Sequence, residues 1–174
     1  MNDFAIEGIL KRFAQLDDDL VAHFGYSGHF EIVVIGGSAL ILANLAPESR
    51  FTTDIDVLMA SAEVETFFDR YDMNTDAVTF LYQYPENWEA RRKKLDFDGQ
   101  VLDIFTLSNE DLAITKLLAW RNTDKEDLLS MKKAGSVDVE MLWAILDDPT
   151  EVQIGVSEEE WTKLLKNAEE FMRW

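Results

Sequence analysis

The stretch VVIGGSALILANL, residues 33–45, followed closely by RFTTDIDVLM, residues 50–59, decides how this chain folds. An apolar, β-branched run ends at Gly36-Gly37-Ser38, and sixteen residues after that serine Asp54 and Asp56 bracket one isoleucine. Strand side chains alternate, so Asp54 and Asp56 project from one face while Ile55 and Val57 point into a core. Two carboxylates in one small volume repel at neutral pH unless a cation sits between them. Mg²⁺ suits the position, because it binds one or two carboxylates and fills its shell with substrate phosphate oxygens. The glycine turn supplies the other half of a phosphate site. Gly36 and Gly37 carry no Cβ, the helix after them offers free N–H groups, and Ser38 adds a hydroxyl donor.

Composition sets the frame around that motif. With 174 residues, 47% of them hydrophobic, the chain buries one core, or one core with a helical appendage. It holds no cysteine, no basic-then-apolar leader and no apolar run long enough for a bilayer, which predicts a cytoplasmic protein without disulfides or membrane contact. The 34 acidic residues against 16 basic give a formal net charge of −18. Such a surface repels polynucleotides at long range and attracts cationic partners.

Apolar residues Phe4, Ile6, Ile9, Leu10, Phe13, Leu16, Leu20, Val21 and Phe24 recur at helical spacing and predict a helix over 3–24. Phe30 to Ile35 reads as a buried strand, Ser38 to Leu45 as a short helix, and Asp54 to Met59 as a second strand. Ser61 is an N-cap candidate for a helix carrying Val64, Phe67, Phe68 and Tyr71. Asp98-Gly99 predicts a two-residue hairpin between Lys94–Phe97 and Gln100–Leu107. Helices follow over about 109–120, 124–134 and 139–146, with a last one capped by Ser157 and Glu160, and a loop around Pro149. The expectation is an α+β fold, a mixed sheet flanked by helices over 1–107 with a helical part over 108–174 packed on it as one compact unit.

Holding two ions takes a third carboxylate. Asp103, alone among Val101, Leu102, Ile104 and Phe105, is the first candidate, with an exposed edge-strand acid as its ordinary explanation and Asp96 as its rival. Arg91-Arg92-Lys93-Lys94 is the one basic run, read either as edge protection or as a patch for a polyphosphate. His23 and His29 lack the spacing of a zinc site. The five tryptophans read as packing aromatics, although Trp120 beside Arg121 is placed to stack on a base.

Taken together, Gly36-Gly37-Ser38, Asp54-Ile55-Asp56 and a later strand aspartate resemble the signature of the polymerase-β-like nucleotidyltransferases. The form Arg50, Thr52, Asp54, Ile55, Asp56 is similar to a small bacterial branch that contains AbiEii-type abortive-infection toxins. There a helical segment carries a lysine, an arginine and Asp-x-x-Asp-Leu, in the order of Lys116, Arg121, Asp124, Asp127 and Leu128 here. The resemblance covers about residues 30–130. It implies a nucleotidyltransferase-like fold and attack of an acceptor on the α-phosphate of a nucleoside triphosphate. Two Mg²⁺ ions, or Mn²⁺, would be held by Asp54, Asp56 and Asp103, with Asp103 taking the acceptor's proton. It further implies that Gly36, Gly37, Ser38, Arg50, Lys116 and Arg121 bind the nucleotide, with solvated side chains as the ordinary reading of Arg50, Lys116 and Arg121. Asp124 and Asp127 share a helix face, placed to orient Lys116 or a ligand hydroxyl, with a helix cap as the alternative reading of Asp124.

Acceptor and biological setting stay open at this level. RNA or protein fits a toxin with a cognate antitoxin; an aminoglycoside or lincosamide fits an antibiotic-modifying enzyme and the acidic surface. A catalytically silent binding module is the third reading, and a retained carboxylate trio weighs against it.

Overall fold

The computed structural model describes residues 3–76, 85–148, 150–151 and 156–174. Pro149 and the loop expected around it fall partly outside these residues. The chain divides into two compact units. One comprises Met1–Asn44, Glu48–Thr79 and Arg92–Thr106; the other comprises Leu45–Pro47, Phe80–Arg91 and Leu107–Trp174. The second therefore draws on two segments that lie before residue 108 as well as on the expected helical part.

The first unit is built on a five-stranded mixed sheet of order β3-β2-β1-β5-β4. Its elements are α1 (Asp3–Phe24), β1 (Phe30–Val34), α2 (Gly36–Leu42), β2 (Ile55–Met59), α3 (Ala62–Glu65), a 3-10 turn at Phe68–Tyr71, β3 (Met73–Asn74), β4 (Lys93–Lys94) and β5 (Leu102–Thr106). Strand β1 is central, antiparallel to β2 and parallel to β5. Ile32, Val33 and Val34 are wholly buried, as a central strand of β-branched residues should be. Val33 pairs with Met59 and Val34 with Val57, which makes Leu58 the extra residue of a bulge. Ile55 and Val57 are buried while Asp56 between them is half-exposed. From α1, the stripe Ile9, Phe13, Leu16 and Leu20 enters the core as its periodicity predicts; Phe24 stays exposed.

The Asp98-Gly99 hairpin needs correction. Strand β4 ends at Lys94 and β5 starts only at Leu102, so the connection is far longer than two residues. Its cause is Asp17, buried on α1. The Asp17 carboxylate accepts hydrogen bonds from the backbone N–H groups of Gln100, Val101 and Leu102 at 2.8–2.9 Å. Those amides turn to a carboxylate instead of a hairpin partner, which clamps α1 to the start of β5. Ser61 stands at the N-cap of α3 without a side-chain bond, and that helix lasts only four residues.

In the second unit, α4 (Trp88–Arg91) precedes α5 (Asn109–Ala119), α6 (Asn122–Lys133), α7 (Val139–Asp147) and α8 (Glu158–Arg173). Leu112, Leu117, Leu128, Met131, Leu142, Leu164 and Phe171 form its core. Starts of α5 and α8 follow their capping residues: Ser108 accepts from the Asp111 N–H, and Ser157 and Glu160 close a reciprocal box.

Asp17→Ala should be costly, since three N–H groups, those of Val101 and Leu102 buried, lose a charged acceptor worth roughly 1.5 to 3 kcal/mol for a single such bond. A drop in unfolding free energy of about 3 kcal/mol or more is expected by urea denaturation. A change below about 0.5 kcal/mol would show that water replaces the carboxylate without loss.

Candidate functional site

The glycine turn and the Asp-x-Asp pair meet in the first unit. Ile35 N–H donates to the Asp56 carbonyl at 3.0 Å, and Gly36 turns the chain at φ +66° into α2. A Cβ on Gly36 would lie 2.8 Å from Asp56 Oδ2, and one on Gly37 would lie 3.1 Å from an Arg50 guanidinium nitrogen. The space glycine leaves is thus filled by this chain's own carboxylate and guanidinium. Arg50 lays its positive charge against the first turn of α2, beside the carboxylate pair.

Four bonds pin the segment that carries Asp54. Ser38 Oγ donates to the Asp54 carbonyl at 3.0 Å and Thr52 Oγ1 to the same carbonyl at 2.8 Å. Arg12 holds the Thr53 carbonyl from α1 at 3.0 Å, and the Ile55 N–H donates to the Asp72 carbonyl at 2.8 Å. Ser38 is therefore a positioning residue. Its proton is directed at the Asp54 carbonyl.

Asn74, which sequence reasoning missed, completes the arrangement. Its Nδ2 lies 3.4 Å from Asp54 Oδ2 and 3.3 Å from Asp56 Oδ1, long contacts that mark where the two carboxylates converge. The Asp76 N–H donates to Asn74 Oδ1, which fixes the amide with its NH₂ toward the acids. Only the parallel pairing of Asp56 with Asn74 brings the amide there, and a two-residue strand leaves little pattern to read.

This donor set suits a hard divalent ion. Two carboxylate oxygens approach one point, Asp54 is exposed, and Asp56 is half-exposed, so phosphate and water can complete an octahedral shell.

Asp103 is not part of this group. It pairs with Glu31, four positions before Ile35 on β1, whereas Asp56 is level with Ile35. That offset is about 13 Å along the strand at about 3.3 Å per residue, with β1 lying between. Asp103 instead accepts from Lys94 Nζ at 2.7 Å. The expected trio is two carboxylates plus one placed elsewhere.

The helical set sits in the second unit as a buried ion cluster. Lys116, 5% exposed, reaches Asp124 Oδ1 at 3.1 Å and Asp127 Oδ2 at 2.9 Å, and both acids are wholly buried. Arg121 Nε donates to Asp124 Oδ2 at 2.7 Å, and the Arg121 N–H is capped by the same carboxylate. Lys116 is thus neither the solvated lysine nor the open phosphate-binding charge that the pattern predicts; it is matched to two carboxylates. Arg121 likewise pairs with Asp124. Burial pushes the Asp124 carboxyl up, but the hydrogen bond from Arg121 and the charge and hydrogen bond of Lys116 outweigh it and hold the group below its ordinary 3.8. In the same unit Arg91 bridges Asp111 at 2.8 Å and Glu151 at 2.6 Å. Glu151 is raised by burial and lowered further by Arg91 and Asn87, ending below its ordinary 4.5.

Lys116→Ala should cost about 3 to 5 kcal/mol, because it strands two buried carboxylates. The depressed Asp124 and Glu151 carboxyls stabilise the fold fully above their unfolded values and lose that contribution as pH falls through the folded ones. Urea denaturation from pH 7 to pH 3 should show stability declining below about pH 5. The decline should be shallower in Asp124→Asn, and an unchanged slope would remove Asp124 from the account.

Among the described residues no helix is long and apolar enough to cross a membrane. No curated protein and no solved structure matches the chain. A family model described as a nucleotidyltransferase of unknown function (DUF6036) does match, over residues 11–174. That span takes in the glycine turn, both aspartates of the pair and the buried ion cluster, and the chain belongs to this nucleotidyltransferase family.

Proposed function

We propose that the protein transfers a nucleoside monophosphate from a nucleoside triphosphate to an acceptor hydroxyl, in dependence on Mg²⁺ or Mn²⁺. The observation that carries this is the convergence of Asp54 and Asp56 beside Gly36 and Gly37, with the Arg50 guanidinium on the same turn. Family membership supports the reaction class.

On this reading Asp54 and Asp56 hold the metal and Arg50 meets the triphosphate. Ser38, Thr52 and Asn74 keep the acids in position. The ion supplies charge neutralisation where the acceptor oxygen attacks and pyrophosphate departs. The acceptor oxygen forms a bond to the α-phosphorus as the bond to the β-phosphate bridge oxygen breaks, the hydroxyl proton passing to water and the electron pair of the broken bond leaving with pyrophosphate. Resemblance to the AbiEii-type branch favours an RNA or protein acceptor and an antitoxin partner. A net charge of −18 favours the second reading, a cationic acceptor such as an aminoglycoside, because it repels a polyanion.

Incubation with each labelled nucleoside triphosphate, Mg²⁺ and either RNA, basic protein or aminoglycoside tests both readings. Asp56→Ala should lose metal-dependent nucleotide binding while the melting temperature of the ligand-free protein barely moves. Arg50→Ala should weaken nucleotide binding roughly ten- to a hundredfold, the value of one charge-assisted bond. Calorimetry that detects no triphosphate binding with either metal would overturn the reading.

A further inference from the structure

We propose that His29, Glu31 and Asp103 form a second metal site, one for a first-row transition ion such as Zn²⁺, separate from the Asp54–Asp56 pair. His29 Nε2 lies 3.8 Å from Glu31 Oε1 and 3.8 Å from Asp103 Oδ2. One donor atom from each of the three residues falls within 4.8 Å of the others. A tetrahedral ion with bonds of about 2.0 to 2.1 Å needs donors about 3.4 Å apart, so His29 must close by a few tenths of an ångström on each carboxylate, and the two carboxylate oxygens, within 4.8 Å of each other, by up to about 1.4 Å.

Strand register builds the pair. Glu31 and Asp103 are direct partners on the parallel strands β1 and β5, which puts two carboxylates opposite each other on one face, their charges balanced by neighbouring basic side chains. Each acid gives one oxygen to a basic side chain: Arg92 reaches Glu31 Oε2 at 2.8 Å and Lys94 reaches Asp103 Oδ1 at 2.7 Å. The remaining oxygens, Oε1 and Oδ2, are those turned to the imidazole. Hydrogen bonding to the outer oxygen of a ligating carboxylate is what orients it toward a metal. Arg92 is itself fixed over the Phe105 ring, 4.1 Å from its centroid.

Chemistry separates the two sites. Nitrogen with two carboxylates suits zinc, cobalt or nickel, whereas an all-oxygen pair that leaves most of the shell to phosphate and water suits magnesium. The offset of about 13 Å along the strands keeps one ion from using both sets. An ion here ties His29, at the start of β1, to β5, and β1 leads directly into Gly36.

Isothermal titration of the metal-free protein with Zn²⁺, without nucleotide, should give one saturable site, and Co²⁺ should develop visible ligand-field bands on binding. His29→Ala should weaken Zn²⁺ binding at least tenfold; this side chain is 68% exposed, so the variant should fold. Asp103→Asn should weaken it likewise, and Asp56→Asn should leave it unchanged. Zn²⁺ should also raise the melting temperature of wild type but not of His29→Ala. Absence of saturable binding, binding retained in His29→Ala, or binding lost in Asp56→Asn would each overturn the site. None of these readouts uses nucleotide, so their failure is distinct from failure of the transferase reading.

Discussion

At Gly36 the backbone takes a left-handed turn with Asp56 Oδ2 packed where a side chain would otherwise begin. A Cβ there meets strain from the positive φ and collision with a carboxylate at once. Because the chain can turn that tightly, β1 runs into α2 without a loop, and β2 returns alongside with Asp56 level with Ile35. Ser38 then reaches the Asp54 carbonyl, and Arg50 folds back over Gly37. Asn74 joins the site through the separate pairing of β2 with β3.

Buried charge plays a different part in the second unit. Lys116 with Asp124 and Asp127, and Arg91 with Asp111 and Glu151, are ions removed from water. Pairs of this kind seldom add much net stability, yet removing one partner is expensive because the other remains charged and dry. The Arg91 cluster joins segments distant in sequence, bonding Asp111 and Glu151 across 20 and 60 residues, whereas Lys116 ties α5 to the neighbouring α6. Each cluster holds the helices it joins by ion pairs in addition to their apolar contacts. This matters for function, since loss of activity on mutating Lys116 would report unfolding before it reported chemistry.

Local rules made part of this molecule legible in its sequence. The glycine turn, the Asp-x-Asp alternation, the α1 stripe and the Ser157 cap rest on neighbours within a few positions, and each has its expected local form. Asp17 and Asn74 were not legible, because they act on residues brought near only by tertiary structure: Asp17 bonds amides more than 80 positions away. Asp103 shows the same limit from the other side. Alternation put it on a definite face, but only the parallel register with β1 reveals how far along that face it lies. Lys116 followed a family-like spacing while the depth of its burial had no local signal.

The acidity of the chain bears on the acceptor once its basic residues are located. Arg91 and Lys116 are committed to buried carboxylates; Arg12, Arg70, Arg92, Lys94 and Arg121 also pair with acids. A polyanion gains affinity chiefly by exchanging its counterions for protein cations, and pairing each cation with an acid cancels much of its long-range pull. A nucleoside triphosphate is a smaller demand. On the proposed reading, one divalent ion bridging Asp54, Asp56 and the phosphates, with Arg50 on the adjoining turn, would need no extended basic surface. On the proposed reading, a surface of this charge would oppose a long nucleic acid more than a single metal-bound nucleotide and would attract a cationic acceptor.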